Sequence, residues 1–211
     1  MKTTLIIMPG SPALVGELAP ADAVGATLLQ QIRSLFGQYL AGNNLPVDLV
    51  GSRADAWHTA HPGSFRAWGA PQIQLSGGSH LPELIQRYAL GDELEPRVRA
   101  VGENLALISA GALTVVALDG STGLTPRAPS SLVAGAADVD QWCRNLLAGE
   151  PDSMSEEELA AGAVREPGLW LELAQLVRKV ESAELIAADT SHGVGRYVAV
   201  WTIDVEEKEE S

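Results

Sequence analysis

Four residues have the types from which a metal centre is assembled. His58 and His61 stand three apart, on one side of any helical turn, and Asp189 and His192 repeat that spacing near the C-terminus. Imidazoles and a carboxylate suit Zn as well as Fe(II). Pro62-Gly63 follows His61 directly and works against a rigid helical platform, so two exposed loop histidines explain the same pair. The expectation is that no metal or other cofactor is held, and that Fe(II) or Zn, if bound, would sit on His58, His61, Asp189 and His192. A second chemistry is nucleophilic: Ser121 follows an apolar run and has Asp189 and His192 as triad partners. Its segment, Asp119-Gly120-Ser121-Thr122-Gly123, lacks the first glycine of a nucleophile elbow, and a serine beside glycine is equally a turn residue.

Arg53, Arg127 and Arg196 each fall in an expected loop or at a strand end, where a guanidinium either clamps a carboxylate or phosphate or makes a salt bridge. Trp57 and Trp68 bracket a long irregular stretch, either as walls of an apolar pocket or as its packing anchors. His80, after Gly77-Gly78-Ser79, reads as a surface residue at a helix start. Gly193-Val194-Gly195 lacks the third glycine of a dinucleotide fingerprint, and no P-loop is present.

Strands and helices must position these groups. Leu5 to Met8 is a continuous apolar run ended by Pro9-Gly10, as in a strand covered on both faces. From Ala23 to Ala41 apolar residues recur at helical spacing behind Asp22 as N-cap, and Pro46 to Val50 completes a strand–helix–strand opening. Gly51 to Ala70 has no period and reads as a long excursion, of the kind that carries function. A short strand over Ile73–Leu75 and a helix from Leu81 to about Leu90 follow. Leu105–Ile108 and Leu113–Leu118 are two further strand candidates, the β-branched second being the stronger. Val139–Leu147 reads as helix, Ser155 and Glu158 have capping-box spacing, and Leu169 to Val180 carries another helical stripe. A final strand over Tyr197–Val205 after several helices points to a mixed sheet. The alternation gives an α/β fold, a single three-layer α/β/α domain over residues 1–205 with a mostly parallel or mixed sheet.

The chain has 211 residues, 46% of them hydrophobic, enough for one substantial core. The net charge of −13 argues against nucleic-acid and membrane-surface partners. Residues 206–211, Glu-Glu-Lys-Glu-Glu-Ser, read as a disordered acidic tail. A single cysteine, Cys143, excludes an intrachain disulfide and a cysteine-cluster metal site. The run Leu5–Met8 is too short for a signal peptide or a membrane span, so a soluble cytoplasmic protein is expected.

Two stretches, Asp119 to Pro129 and Gly193 to Trp201, together resemble class III extradiol ring-cleavage dioxygenases of the LigB type, and more closely an actinobacterial branch of that superfamily. The resemblance implies a LigB-like (phosphorylase/hydrolase-like) α/β fold. It puts Gly10, in Pro9-Gly10-Ser11-Pro12, where the family has an iron-binding histidine. It puts Val50 to Asp55, which has no histidine, where the second belongs. Thr122 takes the place of the catalytic histidine and Asp189 that of the carboxylate ligand. Fe(II) requires two imidazoles and a carboxylate, so the implied chemistry is lost and conventional extradiol cleavage is not expected. No catalytic residue is fixed; Ser121, Thr122 and His192 are the candidates. The expected function is binding of a small aromatic or anionic molecule in the ancestral cleft through Ser11, Arg53, Thr122, Arg127 and His192. The alternatives are a metal-dependent enzyme, dioxygenase or hydrolase, with the relocated His/Asp site, and a non-catalytic oligomeric scaffold subunit. A small-molecule ligand and a homodimer are the partners consistent with this reading.

Overall fold

The computed structural model describes residues 1–150 and 152–205; the acidic segment 206–211 lies outside them. The opening unit is β1 (Lys2–Met8), α1 (Ala23–Leu40) and β2 (Val47–Gly51). In α1 the Asp22 side chain accepts from the Gly25 amide, closing an orphan donor of the first turn. A hairpin of β3 (Ser64–Phe65) and β4 (Ala70–Gln74) interrupts the long excursion, and α2 (Leu81–Leu94) follows, kinked at Gly91. Next come β5 (Val98–Gly102) and β6 (Leu113–Ala117), then α3 (Ala136–Leu147), α4 (Glu156–Ala161) and α5 (Pro167–Leu176). The hairpin of β7 (Val180–Asp189) and β8 (Arg196–Asp204) closes the chain. Six strands form one mixed sheet in the order β5-β2-β6-β1-β8-β7. β5, β2, β6 and β1 run parallel, with Ile6 opposite Val115, and β8 joins antiparallel, with Ile6 opposite Val200.

Residues of β1 alternate between two cores. Ile6 and Met8 pack with α1 and α2 on one face; Leu5 and Ile7 pack with α3, α4 and α5 on the other. All four are fully buried, which is why the run reads as unbroken apolar sequence. The fold is therefore a mixed α/β sheet covered on both faces. Among the described residues no helix is long and apolar enough to cross a membrane.

Most expected elements stand within a few residues of their places, and two differ. Leu105–Ile108 is not a strand: Leu105–Leu107 is a 3-10 turn capped by Asn104, whose side chain accepts from the Ala106 amide. The strand is β5, whose Val-Arg-Ala-Val-Gly sequence is only half-buried at a sheet edge and lacks an apolar run. The helical stripe of α5 stops at Leu176, and β7 begins at Val180. Its exposed Glu181 and Glu184 suit an edge strand that water reaches.

One buried ion network joins the two ends of the chain. Arg196, with no exposed surface, donates from Nη1 to Asp22 at 2.5 Å and from Nη2 to Asp189 at 2.6 Å. Burial raises the Asp22 carboxyl, but the Arg196 and Gly25 donors outweigh it and hold the group down to about 2. The stability this carboxylate contributes is complete above the ordinary Asp range and is lost as pH falls from about 4 toward 2. Arg196→Ala leaves the buried Asp22 and the half-buried Asp189 carboxylates without their cation and is expected to cost about 3–5 kcal/mol. Urea denaturation at pH 7 checks this. Arg196→Lys should not restore the loss, since a single ammonium lacks the planar fork that spans Asp22 and Asp189.

Candidate functional site

Neighbouring strands β1 and β6 send their following connections to opposite faces of the sheet, β1 to α1 and β6 to α3. A crevice must open between such connections at the C-terminal ends of the strands. A cleft of about 410 Å³ lies there, floored by Gly10, Ser11 and the segment from Ala117 to Gly120. Trp57, Pro12, Pro82, Pro129 and Val194 give it apolar walls, and Ser52, Thr122, Arg165 and Glu166 add polar groups.

Asp119 occupies the floor. The backbone before it continues the ladder, with the Leu118 amide donating to the Met8 carbonyl at 2.9 Å. Its own carbonyl accepts from Trp170 Nε1 at 2.9 Å. The carboxylate receives the Gly10 amide on Oδ1 at 3.2 Å. Burial pushes this carboxyl up to about 7, against the opposing pull of the Gly10 amide, the Arg196 charge and the Ser11 amide. The group thus divides between acid and carboxylate at neutral pH. Residue 10 decides how open it is: a Cβ there would lie 3.4 Å from Oδ2.

Both stretches singled out in the sequence converge beneath this floor. The Gly120 amide donates to Gly195 O at 2.8 Å, Gly195 to Ser121 O at 2.9 Å and Leu124 to Gly193 O at 3.0 Å. The approach is close because the Tyr197 ring packs under both glycines. A Cβ on Gly120 would come 2.6 Å from the Tyr197 hydroxyl, and one on Gly195 would overlap it too. Tyr197 in turn donates to Asp140 on α3. Opposite, Glu166 accepts from Ser52 Oγ at 2.7 Å and Trp57 Nε1 at 3.0 Å, pinning the excursion after β2 against the start of α5. Arg165, beside it, is exposed and makes no ion pair among the described residues.

The structure brings only part of the expected set to this cleft. Ser11 lines it, its hydroxyl accepting from the Ala13 amide at 3.3 Å. Thr122 lines it too, but its hydroxyl is spent on Ser130 and the Ala163 carbonyl. Ser121 is fully buried, accepts from the Gly123 amide and does not line the cleft. Its triad partners are engaged elsewhere: Asp189 binds Arg196, and His192 Nε2 stands 3.2 Å from Asp22. Arg53 pairs with Glu83 at 3.4 Å beside a shallow neighbouring groove, and Arg127 is exposed on its turn. Of the two tryptophans, Trp57 is a cleft wall and Trp68 packs edge-on against Phe65.

His58 and His61 are exposed; His58 rests edge-on against His80, ring centres 5.2 Å apart. His80 is buried at the start of α2 rather than on the surface. His58, His61, Asp189 and His192 do not assemble, and among the described residues no three His, Cys, Asp or Glu side chains form a metal-holding group. The cleft offers the carboxylates Asp119 and Glu166 and no imidazole, a donor set that does not fit the two-histidine, one-carboxylate requirement of Fe(II). Asp119, Arg165 and Glu166 were not singled out by sequence reasoning. For Asp119 the signal was present: a carboxylate directly after the strongest internal strand, followed by glycine. No family model matches the chain, and no curated protein matches it.

Because burial raises the Asp119 carboxyl, the folded chain holds a proton that the unfolded chain has released between about pH 4 and 7. This group therefore lowers stability progressively as pH rises through that window. Asp119→Asn keeps the oxygen that accepts from Gly10 and removes the ionisation. Its stability relative to wild type is expected to be higher at pH 8 than at pH 5, checked by urea denaturation at both pH values.

Proposed function

We propose that the chain is a LigB-like α/β protein that binds a small aromatic molecule in the crevice between the ends of β1 and β6. The observation that carries this reading is Asp119, a carboxyl poised near neutrality on the floor of an apolar-walled cleft. Trp57 and the proline walls favour a flat apolar body, while Asp119 meets a hydroxyl or carbonyl group. Two carboxylates against one guanidinium favour an aromatic body that carries no more than a single negative charge. The likeness to ring-cleavage dioxygenases supports the location, because its Gly10 and Thr122 positions both line this cleft. Conventional extradiol cleavage is no part of the proposal, since neither position supplies an imidazole.

The test is a thermal-shift screen of phenols, aromatic acids and aromatic ketones, with tryptophan fluorescence as a second readout. A ligand present at 100 times its Kd stabilises by about 2.7 kcal/mol. For a chain of this size that corresponds to about 5–10 °C in Tm. The fluorescence change on binding should vanish in Trp57→Phe, while the thermal shift is retained in part. A screen in which none of these classes shifts the melting point would sink the reading.

A further inference from the structure

The groups that line the cleft differ in what chemistry they are free to perform. Thr122 Oγ1 is committed to Ser130 and Ala163, and Ser121 Oγ is buried away from the cleft. Glu166 holds Ser52 and Trp57. Cys143 lies on the buried face of α3, where burial pushes its thiol up, so it is no nucleophile. Asp119 lies on the floor with only backbone amides, those of Gly10 and Ser11, on its carboxylate, whereas Glu166 on the wall is tied through Oε1 to two side chains. Arg165 is the cation of the same cleft, with its guanidinium unpaired among the described residues. The cleft is thus equipped for proton transfer rather than for attack by a nucleophile.

We infer that the cleft catalyses keto–enol isomerisation of a small aromatic 2-oxo acid, with Asp119 as the base that removes a proton from the carbon beside the ketone. This inference rests on the small-molecule reading above. A 2-oxo acid presents a carboxylate oxygen and the ketone oxygen side by side, which matches the fork of Arg165, and its aromatic body matches the Trp57 wall. Asp119 takes the C3 proton, and the C–H electron pair becomes the C2–C3 double bond. The carbonyl π pair moves onto the ketone oxygen, whose growing charge Arg165 meets. That oxygen takes a proton from water, and Asp119 returns its own to solvent. The reaction is an isomerisation: nothing is oxidised or reduced, and no co-reactant is consumed. A carboxyl near neutrality is suited to the step, since it is present as base at pH 7 and holds the proton strongly enough to take it.

The experiment uses the full chain with 4-phenyl-2-oxobutanoate in D2O. Proton NMR follows deuterium entering C3, and tryptophan fluorescence measures binding in parallel. Wild type is expected to exchange C3 at least tenfold above the protein-free rate, with activity rising through an inflection near pH 7. Asp119→Asn should lose about 10²-fold or more while still binding the probe. Arg165→Met should weaken binding and exchange together. Gly10→Ala is the control against misfolding: its Cβ meets Oδ2 at ordinary contact distance, so the fold should stand while exchange falls. Binding by wild type with exchange at the protein-free rate overturns the inference and leaves the binding site in place. Exchange by Asp119→Asn at the wild-type rate also overturns it. Failure of wild type to bind the probe or any aromatic ligand of the screen would remove the binding reading together with the catalytic one.

Discussion

The guanidinium of Arg196 is the constraint on which the cleft depends. A charge with no exposed surface is sustained only by complete pairing, and its partners come from distant parts of the chain: Asp22 at the head of α1 and Asp189 at the end of β7. Closing that triad fixes the start of α1 against the β7–β8 hairpin. It also fixes the tip of the hairpin, where Gly193 and Gly195 accept from and donate to the segment that follows β6. Asp119 begins that segment, so its position is inherited from the ion network as much as from its own strand. With the Gly10 amide, the same positive charge opposes the effect of burial on Asp119 and keeps the carboxyl near neutrality rather than higher.

A second constraint is steric. The Tyr197 ring lies where side chains at residues 120 and 195 would otherwise be, and glycine at both lets the two backbones meet over it. The hydroxyl of Tyr197 then reaches Asp140, so the hairpin, the floor segment and α3 are tied through one aromatic residue. The ring also packs edge-on with Trp170, whose indole N–H holds the Asp119 carbonyl. On the opposite wall Glu166 does comparable work for the excursion after β2. Floor and wall are therefore each built from residues far apart in the chain, on a sheet whose order brings the ends of β1, β2 and β6 together.

Much of the framework was legible. Leu5–Met8, the Asp22 cap, the Ser155–Glu158 box and the β-branched run before Asp119 each state a local preference strong enough to survive tertiary context. The mixed sheet was legible too, from a late strand following several helices. β5 and β7 were not, because edge strands need only half-burial and carry charges that blur the two-residue period. The site was legible as two stretches of chain and not as a set of groups. His58, His61, Arg53 and Arg127 have the right chemistry for ligands, but nothing local reveals that their side chains lie outside the cleft.

By itself the sequence determined β1, α1, β6 and β8 to within a few residues, which runs must be buried on both faces, and that the Asp119 and Gly193 segments are special. Those follow from interactions within a few residues: caps, periodicity, glycine and proline. Tertiary structure alone decided that Asp189 and His192 lie against Arg196 and Asp22, and that Asp119, Glu166 and Arg165 share one cleft. Ion pairing, desolvation and close packing depend on distances between groups that are remote along the chain, and the sheet order sets those distances.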